Sequence, residues 1–244
     1  MQRVINFSGG RTSAYMTIME YKPGDIVLFC DTGREHPKTY KFINDFEAFE
    51  NIPITRLAHP GGFEAVLRAE SMIPNKWKRK CTIQLKIKTA RRYLVSLKIR
   101  KYENLIGFRA DEQKRVKNRK KMWITVTDVF PLYDKGIDKQ MVNEYWRTKP
   151  YQLEIPSILG NCDLCFMKGK DALMAIMAHD PSLADKWIAD EDNSKLRQEG
   201  KKKTGHTYFE GVTIRQLRDI AKNNLFKDYN LEEITPAFDC ACTT

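Results

Sequence analysis

Val4 to Phe7 is a short apolar run that stops at Ser8-Gly9-Gly10-Arg11-Thr12-Ser13, and apolar side chains then return at helical spacing through Glu20. The spacing predicts a strand, a tight turn and a helix over about Ser13 to Glu20. Pro23-Gly24 breaks the chain, and Asp25 to Cys30 reads as a strand buried on both faces. A helix is predicted from Lys38 to Glu50, with Tyr40, Phe42, Ile43 and Phe46 on or near its inner face. A strand follows over Ile52 to Leu57, a helix over Thr82 to Leu97 and a strand over Asn104 to Phe108. This alternation predicts an α/β fold with a parallel sheet covered on both sides, whose ligands gather at the carboxyl ends of the strands. Those ends carry Ser8 to Ser13, Asp31 to His36, His59 to Gly62 and Gly107 to Glu112. Beyond Asp128 the pattern turns to short helices, such as Lys139 to Arg147, separated by Pro131, Pro150, Pro156 and Gly160. The expected organisation is a phosphate-loop domain over residues 1–149 and a mostly helical, cysteine-containing region over 150–244 packed on it.

A chain of 244 residues that is 42% hydrophobic can bury a full core. No apolar run reaches the roughly 18 residues of a membrane span, and the start lacks the basic-then-apolar pattern of a secretory signal. A cytoplasmic protein with no membrane partner is expected. Six cysteines there point to metal ligands or reactive thiols rather than disulfides. Lys and Arg number 42 against 31 Asp and Glu, a net charge of +11 concentrated in Lys76 to Lys101, Lys114 to Lys121 and Lys201 to Lys203. Such runs attract polyanions, nucleic acid among them, although solvated faces and loops are the more ordinary account of them. No RNA-binding pattern of interleaved aromatic residues is recognised in them.

The turn after the first strand changes the picture most. Gly9 and Gly10 let a backbone approach an anion, the NH groups at the start of the helix point outward, and Ser8, Thr12, Ser13 and Arg11 add donors and charge. A Gly-Lys-Ser/Thr ending is absent, so a Walker-type kinase or ATPase is not expected. A plain strand-to-helix connection is the alternative for this loop taken alone.

With Phe29-Cys30-Asp31-Thr32-Gly33-Arg34-Glu35-His36-Pro37 and the block Gly107-Phe108-Arg109-Ala110-Asp111-Glu112-Gln113-Lys114-Arg115, the turn resembles the phosphoadenosine phosphosulfate (PAPS) reductase family. That family belongs to the adenine nucleotide alpha-hydrolase, or PP-loop, superfamily, which implies a Rossmann-like sheet. The resemblance covers most of residues 1 to 170. It implies that Ser8, Gly9, Gly10, Arg11, Thr12 and Ser13 hold phosphate and that Asp31, Thr32 and Gly33 lie beside an adenine nucleotide. Arg109 and Arg115 would clamp its anionic end by bidentate hydrogen bonds. Many ATP-cleaving relatives carry an acid that holds magnesium where Thr12 stands, so the resemblance weighs toward a sulfonucleotide and against ATP with Mg.

Cys81 and, after 80 intervening residues, Cys162-Asp163-Leu164-Cys165 are spaced like the ligands of adenylyl-sulfate reductases, which hold a [4Fe-4S] cluster. Lys80 replaces the first of their tandem cysteines, which leaves a ligand to come from Cys240 or Cys242. The choices are a cluster on Cys81, Cys162, Cys165 and Cys242, a structural Zn on Cys162, Cys165, Cys240 and Cys242, or redox thiols without metal. Cys30 reads as a core residue. His36 follows the Asp-Thr-Gly block, which would put it beside nucleotide, whereas His59, His179 and His206 show no ligand spacing. Similarity of position to the terminal cysteine of sulfonucleotide reductases makes Cys240 or Cys242 the catalytic thiolate.

Three functions follow. The first is reduction of an adenylyl sulfate, APS or PAPS, to sulfite, with thioredoxin or another thiol as electron donor. The second is an ATP pyrophosphatase type sulfurtransferase acting on tRNA or DNA. The third is a silent nucleotide-binding protein.

Overall fold

Val4 and Ile5 point to opposite sides of the sheet and are both sealed, at 1% and 0% exposure, because their strand lies in its middle. The computed structural model describes residues 1–70, 72–119, 123–196, 206–223 and 226–234. Among them five strands form one sheet: β1 (Gln2–Asn6), β2 (Ile26–Asp31), β3 (Thr55–Ala58), β4 (Tyr102–Leu105) and β5 (Val126–Val129). Their order is β3-β2-β1-β4-β5, and every pairing is parallel, with Val4 opposite both Ile26 and Asn104. The chain therefore runs outward from β1 through β2 to β3, then crosses back to the other side of β1 for β4 and β5.

Each face has its own helical cover. On one, Val4, Leu28 and Cys30 pack with Ala90 and Leu94 of helix α4 (Lys88–Ser96), which a turn of π-helix over Thr82–Ile87 introduces. On the other, Ile5, Phe7 and Phe29 meet helices α1 (Arg11–Glu20), α2 (Pro37–Glu50) and α3 (Gly62–Glu70). Phe42 of α2 lies edge-on to Trp146, 5.1 Å between centroids, on helix α7 (Lys139–Arg147), which follows the short helices α5 (Gln113–Lys117) and α6 (Pro131–Asp134). The same core continues into α8 (Lys170–His179), α9 (Asp185–Leu196) and α10 (Ile214–Ala221). Helix α8 is buried from Ala172 to Met177, so its neighbours surround it on all sides.

Three strands differ from what the sequence predicts. The third strand is not Ile52 to Leu57: Pro53 has no NH to give the ladder, and Ile52 and Ile54 fill the core from outside the strand. The fourth is not Asn104 to Phe108, since pairing with β1 takes Tyr102 to Leu105 and leaves Gly107 and Phe108 to the following loop. The edge strand β5 has no counterpart in the apolar pattern, being four residues long with polar Thr127 and Asp128 between its two valines. A ladder of side chains fixes it: Asn6 Nδ2 donates to Asn104 Oδ1 at 2.6 Å, Asn104 Nδ2 to Asp128 Oδ1 at 2.7 Å, and Arg119 Nε to Asp128 Oδ2 at 2.9 Å. No helix among the described residues is long and apolar enough to cross a membrane.

Cys30, 7% exposed, is the core residue expected. Burial pushes its thiol up to about 11 from 9.0, opposed by the Lys86 charge and a hydrogen bond at the Ala90 backbone. In the unfolded chain such a thiol ionises near pH 8.5. The raised value means that this group's contribution to stability is complete below that pH and fades as pH climbs toward 11. Peptide mapping after iodoacetamide at pH 8 should show Cys30 unmodified in the folded protein and fully alkylated in denaturant. Equal labelling in both would contradict the burial.

Candidate active site

The turn after β1 closes on itself. Ser13 Oγ donates to Gly10 O at 3.0 Å and accepts from Ser8 N at 3.0 Å, with the two serine hydroxyls 3.0 Å apart. Ser13, 2% exposed, thus works chiefly as a strut of the loop. Gly9 adopts φ +78°, and a Cβ there would stand 2.7 Å from Thr39 Cγ2. Gly10 begins α1 with no side-chain cap and no acid in the first turn, so the leading NH groups are left for an anion.

Opposite this loop stands the segment after β4. Arg109 Nη1 donates to Thr12 Oγ1 at 3.3 Å across 97 positions of sequence. Asp111 receives the Nε and Nη2 groups of Arg109, both at 2.9 Å. Glu112 holds the pair of arginines: its Oε2 accepts from Arg109 N at 3.0 Å, while its Oε1 accepts from Arg115. Arg115 also stacks over Phe108, 4.2 Å from the ring centroid. Burial pushes the Asp111 carboxyl up, but the Arg109 guanidinium outweighs it and holds the group below its ordinary range. Near neutral pH it is a carboxylate.

Between loop and segment lies a cavity of about 450 Å³. Its charged lining is Arg11, Arg109, Arg115 and Lys139 against Asp111 and Glu112, an excess of positive charge suited to a phosphorylated or sulfated ligand. Leu153, Ile155 and Ile158 supply an apolar wall. The position is the switch point of the sheet, where the loops after β1 and β4 diverge, the usual place for a ligand in an open parallel sheet.

The sequence-selected residues divide. Ser8, Gly10, Arg11, Thr12, Ser13, Arg109 and Arg115 line the cavity, and Gly9 shapes its loop. Asp31, Thr32 and Gly33 do not line it. Asp31 Oδ1 accepts from Gly33 N at 2.7 Å and Tyr40 Oη at 2.8 Å, and Thr32 donates to Glu35 at 3.0 Å. His36 caps α2, its Nδ1 accepting from Lys38 N at 3.1 Å. Sequence reasoning missed Lys139 and Asn143 on α7 and the wall from Leu153 to Asn161. Only their four-residue spacing pairs Lys139 with Asn143 on one helix face, and nothing in the sequence aims that face at the loop.

The cysteine segment docks on the loop after β2 rather than on the cavity. Asp163 N donates to Arg34 O at 3.0 Å, Cys162 bridges to Glu35, and Cys162 Sγ lies 3.4 Å from Thr32 Oγ1. Lys168 Nζ donates to the carbonyls of Cys162 at 2.8 Å and Asp163 at 2.7 Å. Cys81 is half-buried at the start of the π-turn, and Cys165 is buried. Among the described residues no three His, Cys, Asp or Glu side chains gather as a group that could hold a metal ion. Cys240 and Cys242 lie outside the described residues.

A parallel sheet with an uncapped, glycine-bearing loop and two arginines facing each other at its switch point defines an α/β protein of the nucleotide-binding type. Residues 2–154 match the model of the phosphoadenosine phosphosulfate reductase domain, and the chain belongs to that family. It is 33% identical over 199 residues to the uncharacterized nin region protein ORF290 of Escherichia phage lambda, covering 69% of this chain and 67% of that one. A crystal structure of PAPS reductase from Candida auris in a phosphate complex resembles it with a TM-score of 0.42 at 16% identity, over 62% of this chain and 73% of that one.

Proposed function

We propose that the protein binds an adenylyl sulfate in this cavity and reduces it to sulfite. The observation that carries the reading is the meeting of the Ser8 to Ser13 loop with Arg109 and Arg115, far apart in sequence, around one cationic cavity. The leading NH groups of α1 hold the 5′ phosphate, and the arginines hold the sulfate and spread its charge. A thiolate of Cys240 or Cys242 attacks the sulfate sulfur. The sulfur–oxygen bond to the nucleotide breaks, the nucleotide leaves with that oxygen, and the enzyme carries an S-sulfonate. A second thiolate, from thioredoxin or a small thiol, attacks the enzyme sulfur. Sulfite departs with the electron pair, and the two thiols end as a disulfide. Both electrons come from thiols, so the balance needs no metal.

Thr12 favours this reading over ATP cleavage. The hydroxyl that stands in place of an acid accepts from Arg109, which brings a cation, not a magnesium-binding carboxylate, to the loop.

The test incubates the protein with APS or PAPS and thioredoxin or dithiothreitol. Sulfite should form, and Cys240→Ser with Cys242→Ser together should abolish it while leaving nucleotide binding intact. Full activity of the double variant would remove the proposed nucleophile, and pyrophosphate release from ATP instead of sulfite would favour the sulfurtransferase. Iron, sulfide and zinc analysis of anaerobically prepared protein decides the cofactor separately. About four irons and four sulfides per chain would support a cluster on Cys81, Cys162, Cys165 and Cys242, whereas one zinc would support a structural staple.

A further inference from the structure

Residues 71–101 contain 11 Lys and Arg and not one Asp or Glu. With those 11 set aside, the 42 basic residues fall to 31, equal to the 31 acidic ones, so the whole net charge of +11 sits in this one segment. Some of its cations are answered within the fold: Lys86 lies 3.9 Å from Glu35, Lys80 is 3.0 Å from Glu70, and Arg91 Nη1 donates to Arg100 O at 3.0 Å. Lys78, Lys88, Arg92, Lys98, Arg100 and Lys101 are exposed. Helix α4 presents Ala90 and Leu94 to the sheet, which leaves Lys88 and Arg92 on its outer side.

Within this field stands Trp77, 79% exposed. Its turn is held by Asn75, whose Oδ1 accepts from Trp77 N and Lys78 N, both at 3.0 Å. The Asn75 and Lys78 backbones close the turn with bonds of 3.3 and 3.2 Å. These bonds define the backbone of the turn, and the exposed ring has Lys76 Nζ 4.9 Å from its centroid. Glu70 joins this turn to the helix that follows, since it receives Lys80 at 3.0 Å and Gln84 Nε2 at 3.0 Å.

We propose that the Trp77 turn and the outer side of α4 form a binding surface for single-stranded nucleic acid, separate from the cavity. A base stacks on the Trp77 ring, and the phosphates that follow it track Lys78, Lys88 and Arg92. Stacking needs an exposed π face, and a polyanion needs cations without interspersed carboxylates; this segment has both. An acidic protein would use the cations and gain little from the ring. A membrane would use both, yet insertion requires a broader apolar patch than one ring at a turn.

The test measures fluorescence anisotropy of a labelled single strand of about 16 nucleotides, as DNA and as RNA, over a salt series. Binding is expected, with Trp77→Ala weakening it about 5- to 100-fold. Lys88→Gln with Arg92→Gln should make the slope of log affinity against log salt shallower by about 0.7 for each phosphate no longer neutralised. The 2′-hydroxyl distinguishes the sources, so a preference for one strand chemistry names RNA or DNA. All three positions are exposed, and unchanged melting curves will confirm that the variants fold. Absence of binding at low salt, or binding that ignores these substitutions, overturns the proposal. So does a duplex bound equally well with Trp77→Ala silent, or Trp77-dependent binding to phosphatidylserine vesicles without binding to the strand. The readout involves no sulfur chemistry, so it stands or fails independently of the reductase reading.

Discussion

Arg34→Leu is expected to lower stability by about 3–5 kcal/mol, because it strips the partner from a buried carboxylate. Arg34 and Asp190 are 5% and 6% exposed, with Arg34 Nη2 at 2.8 Å from Asp190 Oδ2 and 2.9 Å from Oδ1. Tyr208 donates to the same carboxylate at 2.8 Å, and the guanidinium packs 4.9 Å from the Phe63 centroid and 5.7 Å from Trp187. Next in the chain, Glu191 accepts from Tyr208 N at 3.1 Å and Ile214 N at 2.8 Å. This network joins the loop after β2 to the carboxyl-terminal helices. For a chain of this size each kcal/mol shifts the melting temperature by about 2–4 °C, so a fall of about 6–20 °C is expected in a thermal melt. Changing both Arg34 and Asp190 to Leu should cost less than Arg34→Leu alone, since no charge is then stranded. A melt unchanged by Arg34→Leu would show that the pair is not closed in solution.

Gly9→Ala should damage both stability and ligand binding. A side chain at φ +78° costs about 1–2 kcal/mol, and a Cβ at 2.7 Å from Thr39 Cγ2 adds about 1–3 kcal/mol of overpacking. Thr39 is 1% exposed and cannot swing away, so the loop must shift and carry the leading NH groups of α1 with it. Calorimetry should show loss of binding for adenosine 5′-phosphosulfate together with a lower melting temperature. Combining Gly9→Ala with Thr39→Ser removes the clashing methyl and should recover the steric share while the backbone share remains. If Gly9→Ala binds as tightly as the unaltered protein, the loop does not hold the phosphate.

The central strands were legible because burial on both faces leaves little choice of residue, as in Ile26 to Asp31. Helix α7 was legible to the residue because its polar and apolar positions alternate cleanly and Asp138 caps it. The edge strand β5 was not, since its polar side chains are satisfied by neighbours distant in sequence, a ladder that sequence spacing does not reveal. At the site the glycine loop and Arg109 carried their own chemistry, so they could be selected before anything placed them together. The Leu153 to Asn161 wall could not, for it looks like any apolar stretch until Arg11 Nη2 binds Leu153 O at 2.8 Å. Asp31, Thr32 and Gly33 announce a loop, but their hydrogen bonds turn inward.

The order of the strands also sets a schedule. Of the five described strands the earliest made is the middle of the sheet, and its neighbour β4 is made about 100 residues later, a separation that slows folding. The loop waits longer still, because its Arg11 carbonyl accepts from Trp146 Nε1 at 2.9 Å and its guanidinium is anchored at Leu153. A nascent chain halted before Leu153 carries every glycine and hydroxyl of the loop yet lacks the clasp that holds it in shape. The final shape of the loop therefore arrives late in synthesis, well after the loop's own residues have been made.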